Sequence, residues 1–396
     1  MKELSRIASA VQASTTMAID AMFKQMKADG VDVIGFGAGE PDFNTPDNIK
    51  AAGIAAIEQN VTRYTPAAGT VELRQAVCGR MKADYGLEYK PSQVVVSSGA
   101  KHLVYLALRA VVNPGDEVIL PAPYWVSYIE LIKMVGGVPV VVTATEAEHF
   151  KLTAEKLSAA ITPRTKAILL NNPSNPTGMM YDREELEAIA AVCTQADIYV
   201  ISDEIYACLT YDGRTFTSFA SLSADAKERT ILVNGVSKAY AMTGWRIGYA
   251  CANDVIAKVM ANYVSHSTGS PVAISQRAAA VALSGSQAEI ETMRQAFEQR
   301  RNYIVERMNA IPGVSCIQPE GAFYVMMNLE QLLGKTIHGV EITNDDVFAD
   351  AFLKYGLVAA VPGSGFGAPN FVRWSYATSM ENIKEGLDRL EKFLAE

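Results

Sequence analysis

The stretch that decides the fold is "TILVNGVSKAYAMTGWRIGY", residues 230–249. Its first four residues are apolar or β-branched and, with Asn234, predict a buried strand. Small residues and Lys238 follow at once, and the next cation, Arg246, comes eight residues later. The small neighbours and the apolar strand argue against an ordinary surface lysine. The stretch therefore predicts a buried strand whose carboxyl end carries a functional amine.

Short apolar runs of the same kind recur on both sides of this stretch and alternate with helical patterns. Such strands, separated by helices, indicate a sheet covered on both faces. Between two of them, Asp182 and Glu185 predict a capping box, and apolar residues recur at helical spacing from Leu186. The run 247–252 follows its predecessor after too short a gap for a crossover helix, so we expect it to be antiparallel. The predicted strands are 93–98, 116–120, 138–143, 166–171, 198–202, 230–234 and 247–252.

The pattern changes after about residue 280, where a charged helical stretch at 287–309 leads to further strands and a final helix. We interpret this part as a second, smaller α+β domain that the N-terminal segment completes. The expected division is 47–280 for the large domain and 1–46 with 281–396 for the small one. The predicted fold class is α/β, a mostly parallel seven-stranded sheet with helices on both faces plus the smaller domain.

Composition excludes several classes of function. The 396 residues carry a formal net charge of -8, which argues against nucleic acid or an anionic membrane as a partner. The five cysteines are widely spread without a C-x-x-C pair, and the four histidines lack ligand spacing, so we expect neither disulfides nor a metal site. The N-terminus lacks the apolar core of a signal peptide, and no apolar run approaches the ~18 residues of a membrane span. We expect a cytoplasmic protein.

Polar and small residues follow several of the predicted strands. In an open α/β sheet, ligands bind beyond the carboxyl ends of the strands. The small residues at 98–100 open a helix, where backbone N–H groups can approach an anion closely. Ser237 and Arg246 are placed to offer a hydroxyl and a bidentate guanidinium to the same anion. The residues gathered at these ends are Ser98, Gly99, Ala100, Lys101, Asn175, Asp203, Tyr206, Ser237 and Lys238.

This combination of residue types matches pyridoxal phosphate. Burial and nearby cations lower the pKa of a lysine such as Lys238, so that its amine can form a Schiff base with an aldehyde. An aspartate, Asp203, against the pyridine nitrogen keeps that nitrogen protonated. Tyr206 and Asn175 are placed to hydrogen-bond the phenolic oxygen, and Trp125 to stack on the ring. The structural alternatives are a helix cap for Asp203 and a plain core position for Trp125.

Six motifs, in order along the chain, resemble those of the class-I pyridoxal-phosphate-dependent aminotransferases. "GVSKAYAMTGWRIG" (235–248) resembles their cofactor-attachment signature position by position. The resemblance covers essentially the whole chain and implies a fold-type-I transferase. With "VRWSYATS" (372–379), it is closest to the bacterial-type aspartate aminotransferase branch. The other matching motifs are "GEPDF" (39–43), "RYTPAAGTVELR" (63–74), "PYWVSY" (123–128), "NPSNPTG" (172–178) and "SDEIY" (202–206).

The resemblance implies roles at a bound cofactor. Lys238 carries the Schiff base and, once released, moves the proton between Cα and C4′, while Asp203 pairs with the pyridinium. Tyr64 reaches the phosphate from the neighbouring subunit, which implies a homodimer with shared active sites. Ile205 stands where many relatives carry alanine, and we expect it to pack on the ring face. The other implied cofactor contacts are Gly99, Ala100, Lys101, Trp125, Asn175, Tyr206, Ser237 and Arg246.

The resemblance also implies substrate contacts, to which Trp125 contributes. Arg373 clamps the α-carboxylate, helped by Asn175 and the backbone of Gly39. Lys101, with Thr16 or its neighbours, contacts the distal carboxylate. Three of these have ordinary structural explanations, which are a turn at residue 39, a solvated first helical turn at 101 and a helix cap at 16.

The expected function is a ping-pong aminotransferase that moves the amino group of aspartate to 2-oxoglutarate. The alternative within the branch is a broader enzyme acting on prephenate, aromatic or neutral amino acids. A cofactor-sensing transcription regulator needs a DNA-binding region, and only about forty residues precede "GEPDF". A catalytically inactive relative is disfavoured because every catalytic position is chemically intact.

Overall fold

The computed structural model describes residues 2–13 and 15–395, apart from the side chains of residues 15, 16 and 20. Its helices alternate with strands over most of the chain. Their bounds are α1 (Arg6–Ser9), α2 (Thr15–Ala28), α3 (Asp47–Glu58), α4 (Val71–Tyr85), α5 (Ala100–Val111), α6 (Ser127–Met134), α7 (Ala154–Ala160), α8 (Arg183–Gln195), α9 (Ala224–Arg229), α10 (Asp254–Ser267), α11 (Ala273–Ser284), α12 (Ala288–Ala310), α13 (Asp345–Ala351) and α14 (Met380–Ala395).

The strands form one large sheet and three small ones. The strand bounds are β1 (Ile34–Gly35), β2 (Val94–Ser97), β3 (Glu117–Ala122), β4 (Val138–Thr143), β5 (Thr165–Asn171), β6 (Tyr199–Asp203), β7 (Thr230–Gly235), β8 (Gly248–Cys251), β9 (Tyr324–Asn328), β10 (Thr336–Ile337), β11 (Val340–Glu341), β12 (Val358–Ala359), β13 (Val361–Pro362) and β14 (Phe371–Ser375). The large sheet has the order β2-β8-β7-β6-β5-β3-β4.

The predicted seven-stranded sheet is confirmed strand for strand. Strands β3 to β7 are mutually parallel, whereas β8 pairs antiparallel with both β2 and β7, as the short gap before it predicts. The predicted capping box is also present at the start of α8, where Asp182 accepts a hydrogen bond from the Glu185 N–H. Two of the residues on its predicted apolar face, Leu186 and Ile189, are buried.

Both faces of the sheet are covered because successive side chains of a strand point to opposite sides. Val95 packs in a cluster with α5, α6 and α10, whereas its neighbours Val94 and Val96 pack with α4 and α11. Strands β5 and β6 pack against α7 and α8 through residues such as Ile168 and Val200. These near-continuous apolar strands therefore form two core layers around one sheet.

The last third of the chain builds a second sheet, in the antiparallel order β13-β14-β9, with α12 and α14 in its core cluster. The N-terminal segment joins this part, since Ile34 of β1 pairs in parallel with Val358 of β12. The charged helix predicted at 287–309 is α12. Division of the chain into two domains near residues 46 and 280 stays a prediction.

The parallel strands end along one edge of the large sheet. Asn171 is the last residue of β5, Asp203 of β6 and Gly235 of β7. The five cysteines are free thiols. Within residues 2–13 and 15–395, no helix is long and apolar enough to cross a membrane, and no group of three His, Cys, Asp or Glu residues is arranged to hold a metal ion.

Candidate active site

A cavity of about 560 Å³ opens at the carboxyl ends of the parallel strands. It brings together side chains from the large sheet, the N-terminal segment and the second sheet. Most of the residues predicted from the sequence line it. These are Gly39, Ala100, Lys101, Trp125, Asn175, Asp203, Ile205, Tyr206, Ser237, Lys238, Arg246 and Arg373.

Lys238 lies in the loop that follows β7, and its Nζ donates a hydrogen bond to the carbonyl oxygen of Gly39. Burial lowers the pKa of the Lys238 amine from 10.5 to about 8. The charge of Glu40 opposes this shift, while Arg246 and Arg373 add to it. The half-buried amine is therefore mostly protonated at pH 7, but its neutral, nucleophilic fraction is roughly a tenth, far larger than that of an ordinary lysine.

Asp203 is 3% exposed and ends β6 inside the cavity. Its Oδ2 accepts a hydrogen bond of 2.7 Å from the Tyr128 hydroxyl, and its Oδ1 accepts one of 3.2 Å from the Ile205 N–H. Burial raises the pKa of Asp203 from 3.8 to about 6, and both hydrogen bonds and the charge of Lys238 oppose the rise. Turns, not a helix, follow Asp203, so the helix-cap alternative is wrong.

An anion cradle forms where β2 leads into α5. Gly99 has φ +88, and a Cβ atom there would lie 2.5 Å from Nη2 of Arg246. Gly248 is equally constrained, because a Cβ atom there would lie 2.5 Å from the N atom of Ala100. The two glycines thus let β8 and Arg246 approach the N-terminus of α5 closely. Ser237 is buried and lines the same cavity as Ala100 and Arg246.

Arg373 is 2% exposed and lies in the middle of β14. Its guanidinium stacks between the rings of Tyr324 and Phe366, 4.4 and 4.8 Å from their centroids. Nη1 donates to Oδ1 of Asn175 at 3.0 Å and Nη2 to the carbonyl of Gly37 at 2.9 Å, whereas the buried Nε has no partner. The fixed fork keeps donor capacity for a planar acceptor such as a carboxylate.

Lys101 and Trp125 face each other at the side of the cavity. Nζ of Lys101 lies 4.7 Å from the centroid of the Trp125 ring, which is half-buried and packs edge-on against Tyr128. Burial lowers the pKa of Lys101, and the charge of Arg246 lowers it further. Lys101 therefore lines the cavity from the first turn of α5 with an exposed side chain whose cation lies over the Trp125 ring.

Among the predicted residues with described side chains or backbone, Ser98, Gly99 and Tyr64 do not line the cavity. Gly99 shapes the anion cradle without lining the cavity, because Arg246 lies too close to this position for a side chain to fit. Tyr64 is 99% exposed and belongs to no wall of its own chain's cavity. Thr16 lies in the first turn of α2, but its side chain is outside the described part of the chain; its neighbour Met17 lines the cavity.

A model of the family "aminotransferase class I and II" matches residues 31–390. The chain belongs to this family.

The relatives of this aminotransferase cover its full length. An aspartate aminotransferase of Bacillus sp. (strain YM-2) is 49% identical over 395 residues, 100% of both chains. An aspartate/prephenate aminotransferase of Cereibacter sphaeroides (strain ATCC 17029 / ATH 2.4.9) is 47% identical over 100% of this chain and 99% of its own. The solved aspartate aminotransferase of Thermus thermophilus with maleate superposes with a TM-score of 0.94 at 41% identity, over 99% and 100% of the two chains. The predicted family, fold class and transaminase class are confirmed, and the family implies pyridoxal phosphate.

The structure adds cavity residues that the sequence reasoning missed. Tyr128 stands three residues after Trp125, one helical turn on, and its position in "PYWVSY" could have indicated it. Asn171 ends β5 as Asp203 ends β6, so the strand-end argument could also have found it. Tyr324 offers no such signal. It arrives from β9 of the second sheet, and its hydroxyl lies 2.9 Å from that of Tyr206.

Proposed function

We propose that this aminotransferase uses pyridoxal phosphate to move the amino group of aspartate to 2-oxoglutarate in a ping-pong cycle. One observation carries the proposal. The amine of Lys238, the buried carboxyl of Asp203 and the guanidinium of Arg373 all face one cavity, with the second cation Lys101 at its side. That set suits a cationic ring, an aldehyde and a substrate with two carboxylates.

The residues present fit this cofactor. Its phosphate suits the cradle of Arg246, Ser237 and the backbone N–H groups after Gly99, because a helix N-terminus and a guanidinium both favour an anion. The ring nitrogen suits Asp203. A positive charge there favours the ionised carboxylate, against the burial that raises its pKa.

When bound, the cofactor supplies an aldehyde carbon that takes up amino nitrogen and a ring that accepts electrons released at Cα. The chain supplies the rest. Asp203 holds a proton on the ring nitrogen, and Tyr128 orients that carboxylate. Nζ of Lys238, once free of a covalent bond, removes the proton from Cα of the amino acid and returns one in the opposite half-reaction.

Substrate position follows from Arg373. Its fork binds the α-carboxylate, and the rings of Tyr324 and Phe366 hold the guanidinium flat and dry. Asn175 fixes Nη1 from the loop after β5. A clamped carboxylate leaves only limited rotation about Cα, so the C–H bond can be presented to Lys238.

The preference for aspartate rests on Lys101. A second carboxylate gains most from a cation that is already held and partly desolvated, and Lys101 is both. Thr16 or its neighbours are proposed to assist from α2. Similarity to an aspartate aminotransferase and to an aspartate/prephenate aminotransferase supports this choice.

A broader substrate range is the second candidate. One compared relative is named for prephenate as well as aspartate. Prephenate carries its second carboxylate on a cyclohexadiene ring, and the half-buried Trp125 offers that ring an aromatic surface beside Lys101. Competition of prephenate or phenylpyruvate with 2-oxoglutarate in the second half-reaction distinguishes the two candidates.

We also propose a homodimer with shared active sites in the cytoplasm. Tyr64 is almost wholly exposed in the single chain, near other exposed apolar residues of the α3–α4 region such as Ile57 and Val71. Tyr64 would reach the phosphate of the partner's cofactor. Free thiols suit a reducing compartment. Mixing inactive Tyr64→Ala and Lys238→Ala chains should restore part of the activity, and no restoration contradicts the shared site.

The deciding experiment is an absorption spectrum of the purified protein, titrated with aspartate and then with 2-oxoglutarate. A visible band that aspartate shifts to shorter wavelength and 2-oxoglutarate restores supports cofactor, half-reaction and substrate class together. A band that aspartate leaves unchanged contradicts the role of Lys101. Absence of any band after adding pyridoxal phosphate overturns the assignment of Lys238.

A further inference from the structure

Glu40 is the one charged residue of the described cavity lining to which the proposed function gives no role. It belongs to the N-terminal segment, in the motif after β1. Its charge is opposite to that of most of its neighbours. The other charged lining residues are Lys101, Asp203, Lys238, Arg246 and Arg373.

Glu40 and its neighbour Gly39 hold the loop after β7 at two points. The carbonyl oxygen of Gly39 accepts the hydrogen bond from Nζ of Lys238. Oε2 of Glu40 accepts one of 2.7 Å from Oγ1 of Thr243. Thr243 opens the short turn Thr243–Trp245, which leads directly to Arg246. Two adjacent residues thus contact both the amine and the turn that delivers the phosphate-binding arginine.

Two further hydrogen bonds join the same segments, so the bond of Glu40 is not needed to hold them together. Oγ1 of Thr45 donates to the carbonyl of Ala241 at 2.6 Å. Nε1 of Trp245 donates to Oγ1 of Thr45 at 3.1 Å. What Glu40 alone adds to this contact is a negative charge beside Lys238.

That charge acts against two cations. Arg246 and Arg373 both lower the pKa of Lys238 and add to the effect of burial. Glu40 raises it and is the largest influence in that direction, larger than Asp203. Asp203 is also committed to Tyr128 and to the ring nitrogen of the proposed cofactor. Glu40 remains available as the counter-charge of the lysine nitrogen.

We propose that Glu40 is a positioning residue for Lys238, whose carboxylate balances Arg246 and Arg373 beside the lysine nitrogen while it fixes Thr243. The inference rests on the proposed function, because the lysine nitrogen matters only if Lys238 holds the cofactor. It goes beyond that function because it makes Glu40, which need not touch cofactor or substrate, responsible for how readily the Lys238 nitrogen binds a proton.

The test is the pH midpoint of the change in the visible band of the cofactor-loaded protein. Removing a negative charge disfavours the protonated lysine nitrogen, so Glu40→Gln should lower the pH midpoint by roughly 0.5–1 pH unit. The expected shift is smaller than that of a buried ion pair, because Glu40 is exposed and solvent screens its charge. Glu40→Lys should lower it further. The differences should shrink as the ionic strength rises towards about 1 M.

Two variants separate charge from structure. Thr243→Val removes the hydrogen bond but keeps the carboxylate, so its midpoint should stay near that of the wild type. Glu330→Gln removes an exposed carboxylate outside the cavity and should leave the midpoint unchanged. An unchanged midpoint in both Glu40 variants, or an equal shift in Thr243→Val, overturns the inference alone. A wild-type protein without a visible band overturns the proposed function and this inference with it.

Discussion

The hydroxyl of Tyr128 donates a 2.7 Å hydrogen bond to Oδ2 of Asp203, and both side chains are at most 3% exposed. The tyrosine comes from α6 and the aspartate from β6, so the bond joins a helix on one face of the sheet to a strand end. A buried carboxylate is stable only when donors surround it. Besides this bond, Asp203 accepts the Ile205 N–H.

We expect Tyr128→Phe to weaken cofactor binding by about 10- to 150-fold, since a hydrogen bond to a charged group contributes about 1.5–3 kcal/mol. With one donor fewer, Asp203 takes up a proton more readily and holds a cationic ring less well. Equilibrium dialysis of pyridoxal phosphate measures the effect. Tyr105→Phe, outside the cavity lining, is the matched control, and equal dissociation constants for both variants contradict the prediction.

Asp203 should also make the cofactor-free protein less stable as the pH rises. Its pKa in the fold is about 6, above the ordinary 3.8, so between these values the folded chain holds a proton that the unfolded chain has lost. The contribution of Asp203 to the unfolding free energy is complete below pH 4 and falls by up to about 3 kcal/mol as the pH rises through 6.

Urea titrations of wild type and Asp203→Asn from pH 4 to 7 measure this loss as the difference between their unfolding free energies. The asparagine does not titrate, so the wild type should lose stability relative to it across the window. A difference that stays constant from pH 4 to 7 shows that Asp203 is ionised throughout. Saturating pyridoxal phosphate should reduce the loss, because a cationic ring favours the ionised carboxylate.

The sequence predicts the large sheet well because local signals define it. Runs such as 230–234 are buried on both faces and too short for helices, and the missing crossover before 247–252 predicts the reversed strand. Polar residues at the carboxyl ends of these strands then indicate the cofactor side of the cavity. Residues 203 and 238 are found in this way because their positions depend on the sheet alone.

Contacts between distant segments could not be predicted from local patterns. The Gly37 carbonyl that holds Arg373 comes from more than 300 residues away. The motif "GEPDF" indicates Gly39 as the backbone helper at the carboxylate, but in the structure the Gly39 carbonyl binds Lys238. Tyr324 meets Tyr206 only because the second sheet packs over the strand ends. Periodicity and capping signals contain no information about that packing.

Arg373→Lys should lower kcat/KM for aspartate by about 10- to 150-fold, the effect of one lost charged hydrogen bond. Lysine retains the charge but loses the planar fork that Tyr324 and Phe366 hold flat. Binding of maleate, an unreactive dicarboxylate, should weaken in parallel. Arg164→Lys, at an exposed site, is the control. Unchanged maleate affinity in Arg373→Lys contradicts the clamp.

Lys101→Ala should separate acidic from neutral substrates. Loss of the cation that faces the distal carboxylate should lower kcat/KM for aspartate by about 10- to 150-fold, while kcat/KM for alanine changes little. Lys101→Arg keeps a cation over Trp125 and should recover part of the aspartate activity. Because burial lowers the pKa of Lys101, its side chain loses its positive charge at a lower pH than an ordinary lysine does. As the pH rises into the alkaline range, aspartate turnover in the wild type should therefore decline before alanine turnover does.

The dissociation constant of pyridoxal phosphate is the control, since Lys101 also lies in the first turn of the helix that forms the phosphate cradle. Equal losses for aspartate and alanine, together with weaker cofactor binding, place Lys101 at the phosphate and not at the substrate.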